Sequence, residues 1–133
     1  MSDDVEVPES HPRYESLLTR HRIEAGVDRG ITSRQGLIAQ GRGEAYDYLL
    51  GERTIESADR AERAGAANLL RAERPVISVN GNAAALVPGE LVELSEATDA
   101  ALEVNLFNRT EERIERIADY LRAHGAEDVL GLE

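Results

Sequence analysis

The sequence contains no cysteine and no lysine, so that all 15 of its basic residues are arginine. Without cysteine the chain has neither disulfides nor thiolate metal ligands, which agrees with a cytoplasmic location without requiring one. A phosphate group that binds here must be held by arginine, by backbone N–H groups or by a metal ion. The sequence also lacks an apolar run of the roughly 18 residues that a membrane-spanning helix needs, and its N-terminus lacks the basic and apolar regions of a signal peptide.

The charge of the chain is strongly acidic, with a formal net charge of −11 at pH 7. An acidic, lysine-free surface stays hydrated and soluble at molar salt, so the composition predicts a halophilic archaeal source. A high-GC genome, which favours arginine and alanine codons, is the alternative explanation. The acidity argues against non-specific nucleic-acid binding, which requires a basic patch. A length of 133 residues is sufficient for one domain with one core.

The sequence predicts an acidic, disordered tail over residues 1–9 and a single α/β domain over residues 10–133. Ser10 followed by Pro12 is typical of a helix start, because proline is tolerated in the first turn. Apolar residues then recur at helical spacing, and Gly30 is expected to end this first helix.

Two further helices are predicted before the first strand. Thr32 or Ser33 caps the second, which we expect to break near Gly41-Arg42-Gly43 and to resume as far as Leu50. The third runs from about residue 57 to residue 73. Its small-residue stripe is suited to close packing and consists of Ala61, Gly65, Leu69 and Ala72.

Strand and helix patterns alternate over residues 75–133. Strands are predicted at Val76–Val79, Leu102–Phe107 and Asp128–Leu132, and helices at residues 83–87, 88–98 and 111–124. This order predicts a Rossmann-like βαβαβ parallel sheet that follows an N-terminal helical segment at residues 10–73. Ligands of such sheets bind beyond the carboxyl ends of the strands. Three parallel strands leave an exposed edge and poorly covered faces, so we expect the chain to be a truncated version of a longer protein.

The tripeptide Asn80-Gly81-Asn82 follows the first predicted strand and admits two interpretations. Asn-Gly is a hairpin signal, so a plain turn is one of them. The alanine-rich residues that follow are typical of a helix, and they favour a strand-to-helix loop whose N–H groups face an anion.

Arg42, between two glycines, is a candidate phosphate ligand, because glycine allows a ligand to approach and arginine supplies a fork of donors. For Arg42, as for Arg20 on the first helix, a solvated surface arginine is the alternative. Glu44 and Asp47, with Glu52, are suited to water-mediated Mg²⁺ binding, although ordinary surface carboxylates are the favoured interpretation in so acidic a chain. The three histidines have no metal-ligand spacing, and no protein metal site is predicted.

Ten short blocks are together characteristic of one enzyme family: Ser10–Tyr14, Gly36–Ala39, Gly41–Ala45, Asp47–Leu49, Gly51–Thr54, Pro75–Val76, Ser78–Asn82, Ala84–Pro88, Asn105–Phe107 and Arg109–Glu111. From Ser10 onward the chain closely resembles the archaeal phosphopantothenate synthetases, also called 4-phosphopantoate–β-alanine ligases. The resemblance implies a homodimeric, Rossmann-like enzyme of coenzyme A biosynthesis. It would condense 4-phosphopantoate with β-alanine, using ATP and Mg²⁺ and releasing AMP and diphosphate.

The resemblance also implies roles for individual residues. The family's nucleotide site uses two N-terminal arginines, which match Arg20 and Arg42, while the rest of that site lies in a later segment that this sequence lacks. Gln40 stands where a histidine is expected. The phosphate or carboxylate of phosphopantoate is expected at the following residues: Ser78, Asn80, Gly81, Asn82 and Arg109. No general base is assigned, and the alternatives are a non-catalytic nucleotide- or anion-binding module and a helical dimerisation domain formed by residues 10–73.

Overall fold

The computed structural model describes residues 6–133, so most of the predicted disordered tail lies outside the described residues. Within this range the chain forms six helices and three strands. In chain order they are α1 Tyr14–Asp28, α2 Arg34–Leu50, α3 Glu56–Arg71, β1 Val76–Val79, α4 Gly81–Leu86, α5 Pro88–Thr98, β2 Ala101–Val104, α6 Glu111–Ala123 and β3 Val129–Leu130. No helix in this part of the chain is both long and apolar enough to span a membrane.

The three strands form one parallel sheet in the order β1-β2-β3, which confirms the predicted parallel α/β architecture. Val79 pairs with Val104, and Leu102 pairs with Val129. The second strand is shorter than predicted and ends at Val104. Beyond the strand, Leu106 is buried in the core while Phe107 is fully exposed.

The core lies on one face of the sheet. Alternate strand residues Val79, Leu102 and Val104 point to this face, and they belong to the same buried cluster as Ile117 and Leu121 of α6. This follows from the period of two along a strand, which places alternate side chains on opposite faces. The other face carries the exposed side chains of Val76, Ser78 and Leu130, and it is open among the described residues.

A second helical layer forms where α1 packs against α4 and α2. The close approach of α1 to α4 depends on Gly26, since a Cβ atom at this position would lie 2.7 Å from Cβ of Ala85. Ile23 of α1 is fully buried and joins the core cluster. The N-terminal helices are therefore attached to the sheet through α4.

The predicted break at Gly41-Arg42-Gly43 is wrong, because α2 is one continuous helix from Arg34 to Leu50. Each glycine lowers helix stability by about 1 kcal/mol without blocking the helical conformation. Contacts of residues just before these glycines hold the helix in place. Asn82 Nδ2 donates to the carbonyl oxygen of Gly36 over 3.1 Å, and Gln40 Nε2 donates to that of Ser16 over 3.4 Å.

The small-residue stripe of the third helix does not pack against any other element of the described chain. None of the residues of α3 is buried. Small side chains bury little apolar area, so such a stripe gains little from packing unless a complementary surface faces it. None of the described elements provides that surface for α3.

The ends of α1 differ in how well they were predicted. The helix begins at Tyr14, later than Ser10 and Pro12 indicate, because the preceding chain forms a turn in which His11 N donates to the carbonyl oxygen of Pro8 over 2.8 Å. Gly30 follows the end of the helix as predicted, with a φ of 71° that glycine adopts without strain.

Candidate functional site

A cleft of about 410 Å³ opens beyond the carboxyl ends of β1 and β2. We call it the strand-end cleft; it is lined by Thr32 and the first turn of α2, by Asn80-Gly81-Asn82, by residues 106–108 and by Arg113. None of the residues that line it is acidic. Its position is the one predicted for a ligand of a parallel sheet.

A larger cleft of about 780 Å³ lies between α1 and α2, and we call it the interhelical cleft. It is lined by facing residues of the two helices and by residues 52–54. Ala39 and Asn82 line both clefts, so the two are adjoining. In contrast to the strand-end cleft, this one is lined by several carboxylates: Glu15, Glu44, Asp47 and Glu52.

Asn82 forms part of the wall between the two clefts. Its Oδ1 accepts a hydrogen bond from Thr32 Oγ1 over 2.5 Å, and its Nδ2 donates to the carbonyl oxygen of Gly36 over 3.1 Å. A Cβ atom at Gly36 would collide with the side chains of both Asn82 and Thr32. The amide of Asn82 is therefore engaged in holding α2 against the start of α4. Sequence reasoning did not identify Thr32 and Gly36 as partners of this residue.

The tripeptide at the end of β1 is a strand-to-helix loop, as the alanine-rich sequence after it indicates. Asn80 is the N-cap of α4, and its Oδ1 accepts a hydrogen bond from Ala83 N over 2.9 Å. This arrangement leaves the Nδ2 donor of Asn80 without a protein partner among the described residues. Gly81 is closely packed, since a Cβ atom there would lie 2.8 Å from the carbonyl oxygen of Ile31 and 3.0 Å from Nη2 of Arg113.

Arg113 is a functional candidate that the sequence pattern did not reveal. It lies on the first turn of α6, and its guanidinium donates to the carbonyl oxygen of Ile31 over 3.2 Å and to that of Asn108. Its Nε is buried without a hydrogen-bond partner, and burial lowers the pKa of Arg113. No described carboxylate forms a salt bridge with it.

Two of the predicted substrate residues lie outside the strand-end cleft. Ser78 points to the open face of the sheet, where its Oγ accepts a hydrogen bond from Asn105 Nδ2 over 3.1 Å. Arg109 donates to the carbonyl oxygens of Gly131 and Glu133 at the end of β3. Of the five predicted residues, the structure brings Asn80, Gly81 and Asn82 together in the cleft.

The two predicted nucleotide arginines are exposed, and neither is among the residues that line the interhelical cleft. Arg20 pairs with Glu24 one turn later on α1, with Nε 3.3 Å from Oε1. Arg42 forms no salt bridge with any residue of the described range. Their chain neighbours Thr19 and Gly43 both line the cleft, so each arginine is next to its rim.

Two of the carboxylates of the interhelical cleft are already engaged. Glu44 accepts a hydrogen bond from Tyr48 over 2.7 Å and forms a salt bridge with Arg13; the Tyr48 hydrogen bond, and then the charge of Arg13, lower the pKa of Glu44. Glu52 accepts a hydrogen bond from the Ser16 hydroxyl. Residues 6–133 contain no group of three or more side chains arranged to hold a metal ion.

Comparison with known sequences identifies the family. Residues 57–133 match the family described as phosphopantothenate/pantothenate synthetase. The chain belongs to this family. The match confirms the resemblance inferred from the sequence blocks.

Curated relatives of this synthetase family match nearly the whole chain. A 4-phosphopantoate–β-alanine ligase of Methanosarcina mazei is 61% identical over 126 residues, which are 95% of this chain and 50% of that protein. Ligases of the same name from Thermococcus kodakarensis and Thermococcus onnurineus are 59% and 58% identical over 129 residues, which are 96% of this chain and 49% of each relative. The chain thus spans about half the length of the curated relatives that it matches.

Proposed function

We propose that this chain acts in the ATP-dependent condensation of 4-phosphopantoate with β-alanine to 4′-phosphopantothenate, a step of coenzyme A biosynthesis. The observation that carries the proposal is the high identity to ligases of that name over almost all of its residues. The adjoining clefts support it, because a ligase of this kind must hold an acid and a nucleotide side by side.

The chemistry requires activation of a carboxylate, which is a poor acyl donor. A carboxylate oxygen of 4-phosphopantoate attacks the α-phosphorus of ATP, and diphosphate leaves. The β-alanine amine then attacks the acyl carbon, the C–O bond to the adenylate breaks, AMP leaves, and the amine loses a proton. Much of the rate enhancement is expected from positioning and from neutralising the phosphate charges.

The difference in charge between the clefts supports a different ligand for each. The strand-end cleft has no carboxylates, so it is suited to the anionic acid substrate, with contacts from Asn80 and Gly81. The interhelical cleft is acidic and is suited to ATP as its Mg²⁺ complex, which needs only one or two carboxylates beside its phosphate ligands. Asp47 lines this cleft and supplies one. Bound Mg²⁺ would neutralise charge on the phosphates.

We assign the nucleotide phosphates to Arg20 and Arg42 at the rim of the interhelical cleft. The glycines around Arg42 support this assignment. Nothing lies within 4 Å of a Cβ atom placed on Gly41 or Gly43, so neither glycine is required by packing. Each lowers helix stability by about 1 kcal/mol relative to alanine. Because glycine has no side chain, a phosphate group bound to the arginine can approach the helix backbone closely at these positions.

We further propose that the protein is a cytoplasmic homodimer adapted to high salt. Large apolar side chains that no described element covers support association, among them Tyr46 and Leu49 of α2 and Leu70 of α3. The net charge of −11 supports adaptation to salt.

The release of AMP at molar KCl tests the proposed function. AMP should appear when ATP, Mg²⁺, 4-phosphopantoate and β-alanine are all present, and its release should fall at least tenfold in Arg42→Ala. Arg63→Ala is the matched control, because Arg63 is an exposed arginine on α3 that pairs only with Asp59. A folded chain that binds ATP without releasing AMP would instead be a nucleotide-binding module. Equal activity of Arg42→Ala and Arg63→Ala would remove Arg42 from the site.

A further inference from the structure

Arg113 differs from the other arginines of α6 in having no acidic partner within residues 6–133. Arg116 pairs with Glu112 at 2.5 Å, and Arg122 pairs with Asp119 at 3.2 Å. Each of these two therefore has a carboxylate one turn earlier on the same helix, a common stabilising arrangement. Arg113 has only carbonyl oxygens as described partners, although it is more buried than Arg116 and Arg122.

An uncompensated, partly buried guanidinium is costly, because burial removes water that would otherwise solvate its charge. The carbonyl oxygens of Ile31 and Asn108 satisfy two of its five N–H donors without neutralising the charge. The Nε donor is buried and unpaired. An anion bound next to Arg113 would supply both the missing negative charge and a missing acceptor.

The surroundings of Arg113 are suited to a phosphorylated, partly apolar acid. Its Nη2 packs on Gly81, where a side chain would leave no room for the guanidinium. The free amide donor of Asn80 lines the same cleft, and Leu106 and Phe107 supply an apolar wall. Pantoate carries two methyl groups on the carbon next to the one that bears the phosphate, so a phosphate ligand and an apolar wall are needed close together.

The order of chemical groups along 4-phosphopantoate determines which way round it lies in the strand-end cleft. The carboxylate must reach ATP, so it belongs where Ala39 and Asn82 separate the two clefts. Arg113 and Phe107 line the strand-end cleft and do not line the interhelical cleft, so their side is suited to the end of the substrate that does not react with ATP. The phosphate is at the other end of the substrate from the carboxylate and falls on that side.

We propose that Arg113 binds the phosphate group of 4-phosphopantoate in the strand-end cleft, with Asn80 as a second donor and with Leu106 and Phe107 against the methyl groups. This proposal rests on the proposed function and adds to it the residue that selects the phosphorylated acid over pantoate. Charge-assisted, forked hydrogen bonds from arginine to phosphate give such selectivity.

Calorimetric titration of 4-phosphopantoate and of pantoate into the chain at molar KCl tests the assignment. In Arg113→Gln, which removes the charge and the forked donors, the Kd for 4-phosphopantoate should rise about ten- to a hundredfold. The Kd for pantoate should change less than twofold. Arg113→Lys keeps the charge without the fork and should lose less affinity than Arg113→Gln.

Arg116→Gln is the matched control, because Arg116 also holds a loop carbonyl, that of Arg29 at 3.1 Å, but does not line the cleft. Its Kd for 4-phosphopantoate should equal that of the unchanged chain. Unchanged affinity in folded Arg113→Gln, or equal losses for both acids, would overturn the assignment and leave the proposed function standing. If the unchanged chain bound no 4-phosphopantoate, both the assignment and the proposed function would fail.

Discussion

At the residue scale, the position of α2 depends on three residues that meet between the clefts. Thr32 donates to Asn82, Asn82 donates to the backbone of Gly36, and the lack of a side chain at Gly36 makes room for both. A glycine is required here by close packing, whereas Gly41 on the same helix faces open space. The two glycines should therefore respond to alanine in opposite directions.

Gly36→Ala should lower the free energy of unfolding by about 1–3 kcal/mol, because its Cβ atom would displace the Thr32–Asn82 hydrogen bond. Gly41→Ala should raise it by up to about 1 kcal/mol, because alanine is the better helix former. Urea denaturation followed by circular dichroism measures both. A stabilising Gly36→Ala would contradict the described packing of α2.

Glu44 is expected to contribute to a pH-dependent part of the stability. Its pKa is lowered in the folded chain, chiefly by the Tyr48 hydrogen bond and then by Arg13, so its ionised form favours folding. This stability is present above the pKa of an unfolded glutamate, about 4.3, and is lost as the pH falls through the lower folded value. Glu44→Gln should be less stable than the unchanged chain at pH 7, and the difference should diminish below pH 4.

Denaturation midpoints of both proteins from pH 7 down to pH 3 measure this difference. Glu6→Gln is the control, since Glu6 is exposed and precedes the first helix. The denaturation midpoint of Glu6→Gln should be close to that of the unchanged chain at each pH. If the stability difference between Glu44→Gln and the unchanged chain grew as the pH fell, the pKa of Glu44 would not be lowered in the folded chain.

Sequence reasoning at the residue scale succeeded where the location of a residue follows from its place after a strand. Asn80-Gly81-Asn82 follows a predicted strand directly, so its place in a cleft could be inferred from topology. Arg113 could not be found in this way, because a helical arginine looks like a surface residue. Its contact with the carbonyl oxygen of Ile31 joins residues far apart in the chain.

At the scale of elements, α6 and α3 have similar sequence character and different environments. Both alternate charged residues with apolar ones, but α6 buries Ile114, Ile117 and Leu121 against the sheet while α3 buries none of its residues. Helical periodicity predicted that both helices exist. It could not show that only one of them has a surface to pack against, because that depends on tertiary structure.

Truncation of one apolar side chain in each helix tests this difference. Ile117 is fully buried, so Ile117→Ala should lower the free energy of unfolding by about 2–5 kcal/mol. Leu70 is 65% exposed, so Leu70→Ala should change it by less than about 0.5 kcal/mol. A loss above 1 kcal/mol in Leu70→Ala that depended on protein concentration would show that α3 is covered by a second copy. The same loss at every concentration would contradict the described position of α3.

At the scale of the whole molecule, the acidic charge should govern folding. With a net charge of −11, folding brings like charges together, and molar salt screens their repulsion. The melting temperature should therefore rise between 0.1 M and 2 M KCl. NaCl at the same ionic strength should raise the melting temperature by a similar amount if screening of the acidic charges is the cause. A melting temperature that stayed constant or fell would contradict adaptation to high salt.

The overall architecture was largely predictable because it follows from the alternation of strand and helix patterns. The parallel sheet and its ligand-binding edge required no knowledge of distant contacts. The sequence could not predict that the two clefts adjoin. Their position depends on the hydrogen bond from Asn82, which follows β1, to Gly36 in α2. The continuity of α2 was missed for the same reason, since contacts from other elements support a helix that glycine weakens.

If the two adjoining clefts bind two different ligands, titration of one folded sample with both ligands should show two independent sites. At molar KCl with Mg²⁺, the chain is expected to bind one ATP and one 4-phosphopantoate, each in the presence of the other. Arg42→Ala should weaken ATP binding and leave 4-phosphopantoate binding intact, and Arg113→Gln should do the reverse. A folded chain that binds neither ligand would show that the clefts are not these binding sites. Competition of the two ligands for one site would show that the clefts do not bind different ligands.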